Sequence, residues 1–503
     1  MLYIDASTPI MENQISGNNK VIPHQIVCLN FSISNCVANL PYQLRLSIES
    51  NTIIQEIGYT APHTLVPGQT KISFNLSFIV DYYFNKIQNL KIDIAKGPSQ
   101  YTIITPLSSI LTANYATIIR PFDKSNPNET ITIIGTEMKN SNQMIEININ
   151  LVNCIQPAFF VISKSKLNQK TNNKEMVAVF KTESSSTGQF SPIVLSQSYL
   201  DFGDQTKPIG FDLYLNYVKA GTYETTLQEL LGNEIISMNI ASHSIFVKAK
   251  TFQNTKKSFV NYLQMKLNMN LFIGIDFTGS NGHYKDTASL HHIDPKNPSK
   301  LTLYESAILE CGTILSYYDS DKIYPVYGFG AILPSKEVSH CFPLTLNPND
   351  DADIQGLNNV LAAYRKTIEK INFAGPTYFE PLLSLIFTTI ASMDNSGLNY
   401  NVVLLLTDGI INDMEKTVDL IVESSNLPVS LIIVGVGNAD FSNMKRLDSD
   451  GKALVSSKGK KSERDIVQFV EFNEVGNNPK KLAEKVLEEL PKQVEEYFNK
   501  NNK

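Results

Sequence analysis

The chain has 503 residues, and its 49 Asp and Glu against 43 Lys and Arg leave a net charge of −6. That charge is small and of the wrong sign for a general nucleic-acid-binding protein, which normally presents a strongly basic surface. The 25 Phe and 22 Tyr residues supply ample core, which excludes a chain that is disordered throughout. At roughly 150 residues per domain, the length predicts about three domains.

The cysteines are too scattered for a disulfide framework or a zinc site built from thiolates, because none forms a CxxC pair. They are Cys28, Cys36, Cys154, Cys311 and Cys341. The N-terminal residues lack the basic and apolar segments of a signal peptide. The longest runs without charge, 21–44 and 98–119, contain Ser, Asn, Gln and Pro and are not expected to cross a bilayer. We therefore expect a cytoplasmic protein whose membrane contact is peripheral.

Short strands rich in Ile, Leu and Phe, separated by Pro, Gly and Asn, are predicted throughout the first half of the chain. They form two successive groups, at 21–140 and 143–251. The first group is Gln25–Ile33, Tyr42–Ile48, Lys71–Phe78, Leu90–Ile94 and Thr130–Gly135. The second is Glu146–Val152, Met176–Phe180, Ile209–Tyr217, Ile235–Ile240 and Ser244–Lys250. This spacing is typical of antiparallel sandwiches or barrels, so we expect two all-β modules.

The pattern changes near Lys256, where fully apolar strands begin to alternate with amphipathic helices. The strands are Leu271–Asp276, Val402–Thr407 and Val429–Val436. The helices are Tyr304–Tyr318, Asp353–Ile371, Phe379–Met393, Lys416–Ser425 and Lys480–Phe498. Strands that are apolar along their whole length are typical of a parallel sheet covered by helices on both faces. The ligand site of such a sheet lies at the carboxyl ends of its strands.

Hydroxyl and carboxylate side chains lie at the ends of two of these strands and in one loop. The first strand ends in Asp276-Phe-Thr278-Gly-Ser280, and a later strand is followed by Asp408. Thr377 lies between them, in a loop that opens a helix. These oxygens are the hard ligands that Mg²⁺ and Mn²⁺ accept. We expect direct bonds from the hydroxyls with the carboxylates behind water, which leaves a position for an acidic side chain of a partner.

This constellation resembles the metal-ion-dependent adhesion site of von Willebrand factor A domains. The flanking segments are similar to those of copines, and the resemblance covers 256–498. They are Ile275–Gly282, Ser289–Ile293, Tyr318–Lys322, Gly328–Ala331, Gly435–Phe441, Arg464–Val470 and Leu490–Gln493. Thr278 stands where Ser is commoner in the motif, and it keeps the hydroxyl.

The resemblance implies a multidomain chain of two all-β C2-like sandwiches followed by an α/β, doubly wound, Rossmann-like von Willebrand factor A domain. Val80–Lys91 also resembles the corresponding copine segment. Copines are adaptors peripheral to the plasma membrane, without enzymatic activity. They bind anionic phospholipid in response to Ca²⁺ through the C2 domains, and they recruit proteins through the A domain.

The C2-like modules depart from this family in the loops that would hold Ca²⁺, where C2 domains use about five carboxylates on two loops. In the first module, Leu40 stands where an Asp is expected, and the later loop reads Ala95-Lys96-Gly97-Pro98. In the second module, Lys166 lies near the Asp position, and 214–218 contains no acidic residue. Because multidentate carboxylates give such loops their Ca²⁺ affinity, we expect Ca²⁺ coordination to be lost or weak.

Two other classes of function remain open. The chain could be a structural subunit whose β modules bind protein rather than lipid, independently of Ca²⁺. It could also be an enzyme of phosphoryl transfer, although no P-loop or glycine-rich nucleotide motif accompanies the metal ligands. His291 and His292 are adjacent on a predicted strand, so their side chains should face opposite sides and are not expected to bind one metal together.

Overall fold

The computed structural model describes residues 2–5, 24–50, 53–66, 68–74, 76–137, 143–168, 173–201, 204–253, 255–347, 352–394, 397–409, 411–448, 453–476 and 478–501. The chain divides into two compact units. One comprises Met1–Tyr83 with Gln88–Val260, and the other comprises Phe84–Ile87 with Asn261–Lys503.

The first β region contains two facing sheets. Its elements are β1 Leu2–Asp5, β2 His24–Ser34, β3 Pro41–Ser50, β4 Ile53–Tyr59, β5 His63–Thr64, β6 Lys71–Ser73, β7 Leu76–Tyr83, β8 Gln88–Lys96, β9 Ser99–Pro106, α1 Leu107–Thr112, β10 Thr117–Pro121 and β11 Thr130–Glu137. One sheet has the order β1-β7-β2-β11-β10 with β6 against β2, and the other has the order β4-β3-β8-β9 with β5 against β3. The pairs are antiparallel except β1 with β7.

Side chains alternate between core and surface along these strands, as expected for sheets with one face buried. Leu44 and Leu46 of β3 are buried together with Leu90, Ile92 and Ile94 of β8. Adjacent pairing sets Tyr42 opposite Lys96 and Ser34 opposite Thr130. The loops 35–40, 97–98 and 122–129 therefore lie at one end of this sandwich.

The second β region repeats the plan with two antiparallel sheets. Its elements are β12 Gln143–Leu151, β13 Ala158–Asn168, β14 Asn173–Lys181, β15 Ile193–Ser196, α2 Gln197–Asp201, β16 Pro208–Leu215, β17 Val218–Thr226, α3 Leu227–Gly232, β18 Ile236–Ile240 and β19 His243–Gln253. The sheet orders are β15-β12-β19-β18 and β14-β13-β16-β17. Their inner faces share one apolar core, to which Ile147, Phe160, Phe211 and Val247 belong.

The rest of the chain alternates strands and helices. Its elements are α4 Phe259–Gln264, β20 Asn268–Asp276, α5 Leu303–Leu315, β21 Ile323–Phe329, β22 Ala331–Ile332, β23 Val338–Ser339, β24 Phe342–Pro343, β25 Asp353–Gln355, α6 Leu357–Ile368, β26 Asn372–Phe373, α7 Glu380–Ser392, β27 Asn399–Thr407, α8 Met414–Ser424, β28 Val429–Gly435, α9 Ser442–Leu447, β29 Val467–Glu471, α10 Pro479–Val486 and α11 Leu490–Lys500. Among the residues described, no helix is both long and apolar enough to span a bilayer.

The central sheet has the order β24-β21-β20-β27-β28-β29, and β21, β20, β27, β28 and β29 run parallel. Residues of α7, α8 and α9 share an apolar core with Val403, Leu405 and Leu431 on one face of the sheet. The opposite face carries α11, whose Tyr497 and Phe498 lie beside the ring of Tyr400. The predicted fold class, two all-β sandwiches followed by a doubly wound α/β domain, is confirmed.

Four local predictions are wrong. Asp353–Gln355 is the short strand β25 and not the first turn of a helix, which begins at Leu357. Lys166 lies within strand β13 and not in a loop, because the loop at this end of the second sandwich is 152–157.

The segment Lys480–Phe498 is two helices, because Pro491 lacks a backbone N–H and fits only the first turn of a new helix. His291 and His292 lie in a turn rather than on a strand.

Candidate metal centre

The polar side chains predicted at the strand ends lie at one edge of the parallel sheet. β20 and β27 are neighbours, and Ile275 lies opposite Leu406. Asp276 and Asp408 therefore both lie at the carboxyl ends of two adjacent strands. The loop before α7 reaches the same place because Thr278 pairs with Ala374, and the Gly279 amide donates to the Ala374 carbonyl at 2.6 Å.

Close polar contacts link four of the five predicted side chains. Asp276 Oδ1 accepts from the backbone N–H of Thr278 at 2.8 Å and from its hydroxyl at 2.6 Å. The hydroxyl oxygens of Thr278 and Ser280 are 3.1 Å apart. Ser280 in turn donates to Asp408 Oδ1 at 3.0 Å. The DxTxS turn therefore aims two hydroxyls at the space between two carboxylates.

The fifth side chain, Thr377, lies beside Gly409, the residue that follows Asp408. A β-carbon built on Gly409 would be 3.1 Å from Thr377 Oγ1 and 3.8 Å from Asp276 Oδ2. Asn412 fixes the loop, because its side chain accepts from the Thr377 N–H at 2.8 Å and its own N–H donates to the Thr377 carbonyl at 2.9 Å. The structure thus brings all five predicted residues together.

The two carboxylates are buried, and this dominates their electrostatics. Burial raises the pKa of Asp276. The pKa of Asp408 is raised to about 7, first by burial and then by the nearby charge of Asp276. Among the described residues, no Lys, Arg or His forms an ion pair with either carboxylate. Burial and mutual repulsion disfavour charge on these two carboxyl groups, and a cation bound between them would stabilise their ionised forms.

Buried polar residues that the motif did not predict hold Asp276 in place. The hydroxyl of Thr407 donates to Asp276 Oδ2 at 2.6 Å, so the Thr of the Thr-Asp-Gly run positions the first carboxylate rather than facing solvent. Tyr304 donates to Asn281 Oδ1 at 2.8 Å, and the Asn281 amide lies 3.5 Å from Asp276 Oδ1. Burial, followed by the charges of Asp276 and Asp408, raises the pKa of Tyr304 and keeps it a donor.

His291 supports the backbone of the same turn. Its Nε2 lies 2.9 Å from the Asp276 carbonyl oxygen, which can only accept, so Nε2 carries the hydrogen. Its Nδ1 then accepts from the hydroxyl of Tyr364 at 2.6 Å. Burial lowers the pKa of His291 to about 3, so the ring is neutral at physiological pH. His291 belongs to the Ser289–Ile293 segment that resembles copines, so the sequence marked the segment. It did not mark the role of His291, because Tyr364 and Asp276 lie far from it along the chain.

Gly330 backs the turn from β21. It has a φ of +75°, and a β-carbon at this position would lie 2.2 Å from the Cγ2 of Thr278. A side chain here would have to displace Thr278, because no real β-carbon approaches a neighbour so closely. The glycine is therefore required by the position of the Thr278 side chain.

Comparison with known proteins gives one family. The family model described as "Copine" matches residues 289–503. The chain is 34% identical over 475 residues to Copine-A of Dictyostelium discoideum, an alignment that covers 86% of this chain and 77% of that protein. It is 39% identical over 265 residues to Protein BONZAI 2 of Arabidopsis thaliana, covering 52% of this chain and 44% of that protein.

Among solved structures, the two tandem C2 domains of Extended-Synaptotagmin 2 are similar over 50% of this chain and 99% of that one. The TM-score of this match is 0.26, and the sequence identity is 9%.

Proposed function

Because the chain belongs to the copine family, we propose that it is a non-enzymatic adaptor, peripheral to membranes, with two separate binding functions. Its C2-like sandwiches bind an anionic phospholipid surface, and its α/β domain recruits protein targets through a divalent metal ion. The observation that carries the second part is the convergence of three hydroxyls on two buried carboxylates at the sheet edge.

The donor set fits Mg²⁺ or Mn²⁺. Thr278, Ser280 and Thr377 would supply hydroxyl oxygens, and Asp276 and Asp408 would supply the negative charge, directly or through water. Over the described ranges, no group of three or more His, Cys, Asp or Glu has the arrangement of a metal centre. The proposed site therefore depends on hydroxyl ligands, which suits a hard cation and disfavours zinc.

The low number of carboxylates decides what the site can recruit. A bound divalent ion would supply an incompletely neutralised coordination position, for which a carboxylate of the target is the matching ligand. The protein's own groups hold that position fixed: Thr407 and His291 lock the Asp276 turn, and Asn412 locks the Thr377 loop. We infer a target that presents an exposed Asp or Glu.

Gly330→Ala tests whether the position of Thr278 matters for the metal. We expect Mn²⁺ affinity to fall at least tenfold, because the new methyl group must push the Thr278 hydroxyl out of the cluster. Gly356→Ala is the matched control, since Gly356 has a similar φ of +77° but nothing within 4 Å of its β-carbon position. Equal Mn²⁺ affinities of the two variants, measured by titration calorimetry, would argue against the site.

The second sandwich supports the membrane part of the proposal. The loop 152–157 and the turn at 216–217 form one tip, where the Asn216 N–H donates to the Pro157 carbonyl at 2.8 Å. Ile155 is 92% exposed on this tip, and Tyr217 is 74% exposed. Large apolar side chains that are exposed together mark a surface that contacts a membrane or another protein.

Two lysines lie near the apolar tip. Lys181 lies with its ammonium 4.3 Å from the ring centre of Phe159, and Lys219 pairs with Asp212 at 2.9 Å. Lysines beside apolar side chains suit the interface of an anionic bilayer, where each charge contributes about 1 kcal/mol. The loop 152–157 and the turn 216–217 contain no acidic residue, so these two segments offer no carboxylate to Ca²⁺.

A double variant, Ile155→Ser with Tyr217→Ser, tests the tip. In the presence of chelator, we expect its binding to phosphatidylserine vesicles to fall at least tenfold, because burying each of these side chains is worth about 1.5–3 kcal/mol. Ile235→Ser is the control: Ile235 is also exposed, but it directly precedes the edge strand β18 and belongs to neither segment of the tip. Unchanged binding by the double variant would show that the tip does not touch the membrane.

Vesicle binding and an assay of ATP turnover separate the proposed adaptor from the two alternatives. If the unmodified protein does not bind vesicles but associates with protein in a salt-resistant complex, the structural-subunit hypothesis is favoured. The enzyme hypothesis predicts ATP turnover by the purified protein, whereas an adaptor should have none.

A further inference from the structure

One end of the first sandwich contains a buried ammonium group. Lys96, the last residue of β8, has its Nζ 3.0 Å from Asp123 Oδ2 and 2.6 Å from Glu129 Oε2. Both carboxylates belong to the loop 122–129, which follows β10. This is the end at which a C2-like sandwich is expected to carry its Ca²⁺ ligands.

Protein donors already occupy every oxygen of the two carboxylates. Asp123 Oδ2 also accepts from the hydroxyl of Tyr101 at 2.8 Å, and Oδ1 accepts from the Ser125 N–H at 2.9 Å. Glu129 Oε1 accepts from the hydroxyl of Tyr42. The other residues of loops 35–40, 97–98 and 122–129 include no Asp or Glu. A Ca²⁺ ion, which takes six to eight oxygen ligands, would find none of these carboxylates free.

The cluster is shielded from solvent and stays charged. The side chain of Glu129 is 0% exposed, and that of Lys96 is 10% exposed. Burial lowers the pKa of Lys96, but hydrogen bonds from its ammonium to Glu129 and Asp123 outweigh burial and raise it overall. Hydrogen bonds from Ser125, Tyr101 and Lys96 lower the pKa of Asp123. At neutral pH the ammonium therefore faces an ionised carboxylate.

The three loops are already joined around the ammonium. The Gly97 N–H donates to the Pro41 carbonyl at 2.9 Å, and the Asn35 side chain donates to the Asn128 carbonyl at 2.7 Å. The Val37 N–H donates to the hydroxyl of Tyr42 at 2.8 Å, which links the first loop to the buried cluster. Closure of this end thus needs no inorganic ion.

We propose that the ammonium of Lys96 is a built-in counter-cation that takes the place of calcium in the first sandwich and makes this end of the molecule independent of Ca²⁺. The residues present do not fit a Ca²⁺ ion, so the disagreement with the family's Ca²⁺ trigger is a property of this chain. The inference concerns only the first sandwich, and it stands whether or not the α/β domain binds metal.

Lys96→Met tests the proposal, because it removes the charge and keeps most of the length of the side chain. The variant is made in full-length Asp408→Ala protein, so that the α/β site does not contribute. We expect its first unfolding transition to fall by about 5–10 °C, since two buried carboxylates lose their counter-ion. We also expect Ca²⁺ to restore part of this loss, because the freed carboxylates can then hold it.

The parent protein and a control complete the design. Lys91→Met is the control on the same strand. Lys91 is more exposed than Lys96, and its ammonium is 3.9 Å from Glu49, at the outer limit of an ion pair. We therefore expect this variant to change stability little and to show no response to Ca²⁺. Destabilisation of Lys96→Met without recovery in Ca²⁺ would overturn the proposal, since the lysine would then be only structural. If Lys96→Met does not fold, calorimetry on the parent decides: a Ca²⁺ site that is lost in Glu129→Gln overturns it, and the absence of such a site supports it.

Discussion

Replacing Asp408 or Asp276 by Ala is expected to abolish Mg²⁺ and Mn²⁺ binding to the full-length protein while the α/β domain stays folded. Each substitution removes one of the two charges that would attract the ion, and no other described carboxylate is placed to substitute for it. In Asp408→Ala the metal-free fold also loses a buried anion that is repelled by Asp276. Mn²⁺ calorimetry and thermal unfolding with Mg²⁺ or chelator would measure both effects.

Ligand linkage gives this prediction a second readout. Mg²⁺ should raise the unfolding midpoint of the unmodified protein, because an ion that binds the folded state stabilises it, and it should not raise the midpoint of either variant. Asp440→Asn is the control, since Asp440 is exposed at the same edge of the sheet after β28 and accepts from the Ser442 N–H. Mn²⁺ affinity retained in both alanine variants would eliminate the proposed site.

Arg365→Met is expected to lower the free energy of unfolding of the α/β domain by about 3 kcal/mol, because it leaves a buried carboxylate unpaired. Arg365 donates from Nε to Glu305 Oε1 and, at 2.9 Å, from Nη2 to Glu305 Oε2. The side chain of Glu305 is 0% exposed. Glu305 also completes a capping box with Thr302 at the start of α5, the helix that carries Tyr304. The ion pair therefore supports the helix behind the Asp276 turn.

Chemical denaturation of three variants checks the assignment. Lys366→Met removes the neighbouring, exposed charge of α6 and should alter stability little. Arg365→Met with Glu305→Gln should recover part of the loss, because the buried negative charge is then absent. If Arg365→Met and Lys366→Met are equally stable, the ion pair does not stabilise the domain and does not support the helix behind the Asp276 turn.

The fold class was predictable because each half of the sequence has a distinct periodicity. Val402–Leu406, for example, is apolar at every position, and this requires cover on both faces of the sheet. The candidate ligands were predictable for a related reason. The carboxyl ends of parallel strands meet at one edge, so Asp276 and Asp408 were expected at the same edge although they lie 132 positions apart along the chain.

The groups that hold the site were not predictable from the motif. His291 was assigned to a strand, whereas it lies in a turn and donates to the Asp276 carbonyl. Its partner Tyr364 is 73 residues away, and no local pattern links the two. The same holds for Lys96: the sequence shows that it lies in a segment without carboxylates, but not that Asp123 and Glu129 neutralise it. Buried polar partners are fixed by tertiary structure. The domain boundaries at 21–140, 143–251 and 256–498 stay predictions.

We expect Ca²⁺ to be unnecessary at both sandwiches: an ammonium group fills the loop end of the first, and the loop 152–157 and turn 216–217 of the second expose apolar side chains and contain no acidic residue. The measurement that tests this most directly is co-sedimentation of the full-length protein with phosphatidylserine vesicles, once with Ca²⁺ and once with chelator. We predict equal pelleting in both conditions. Pelleting that requires Ca²⁺ would contradict the account, because a working Ca²⁺ site would then have to exist in one of the sandwiches.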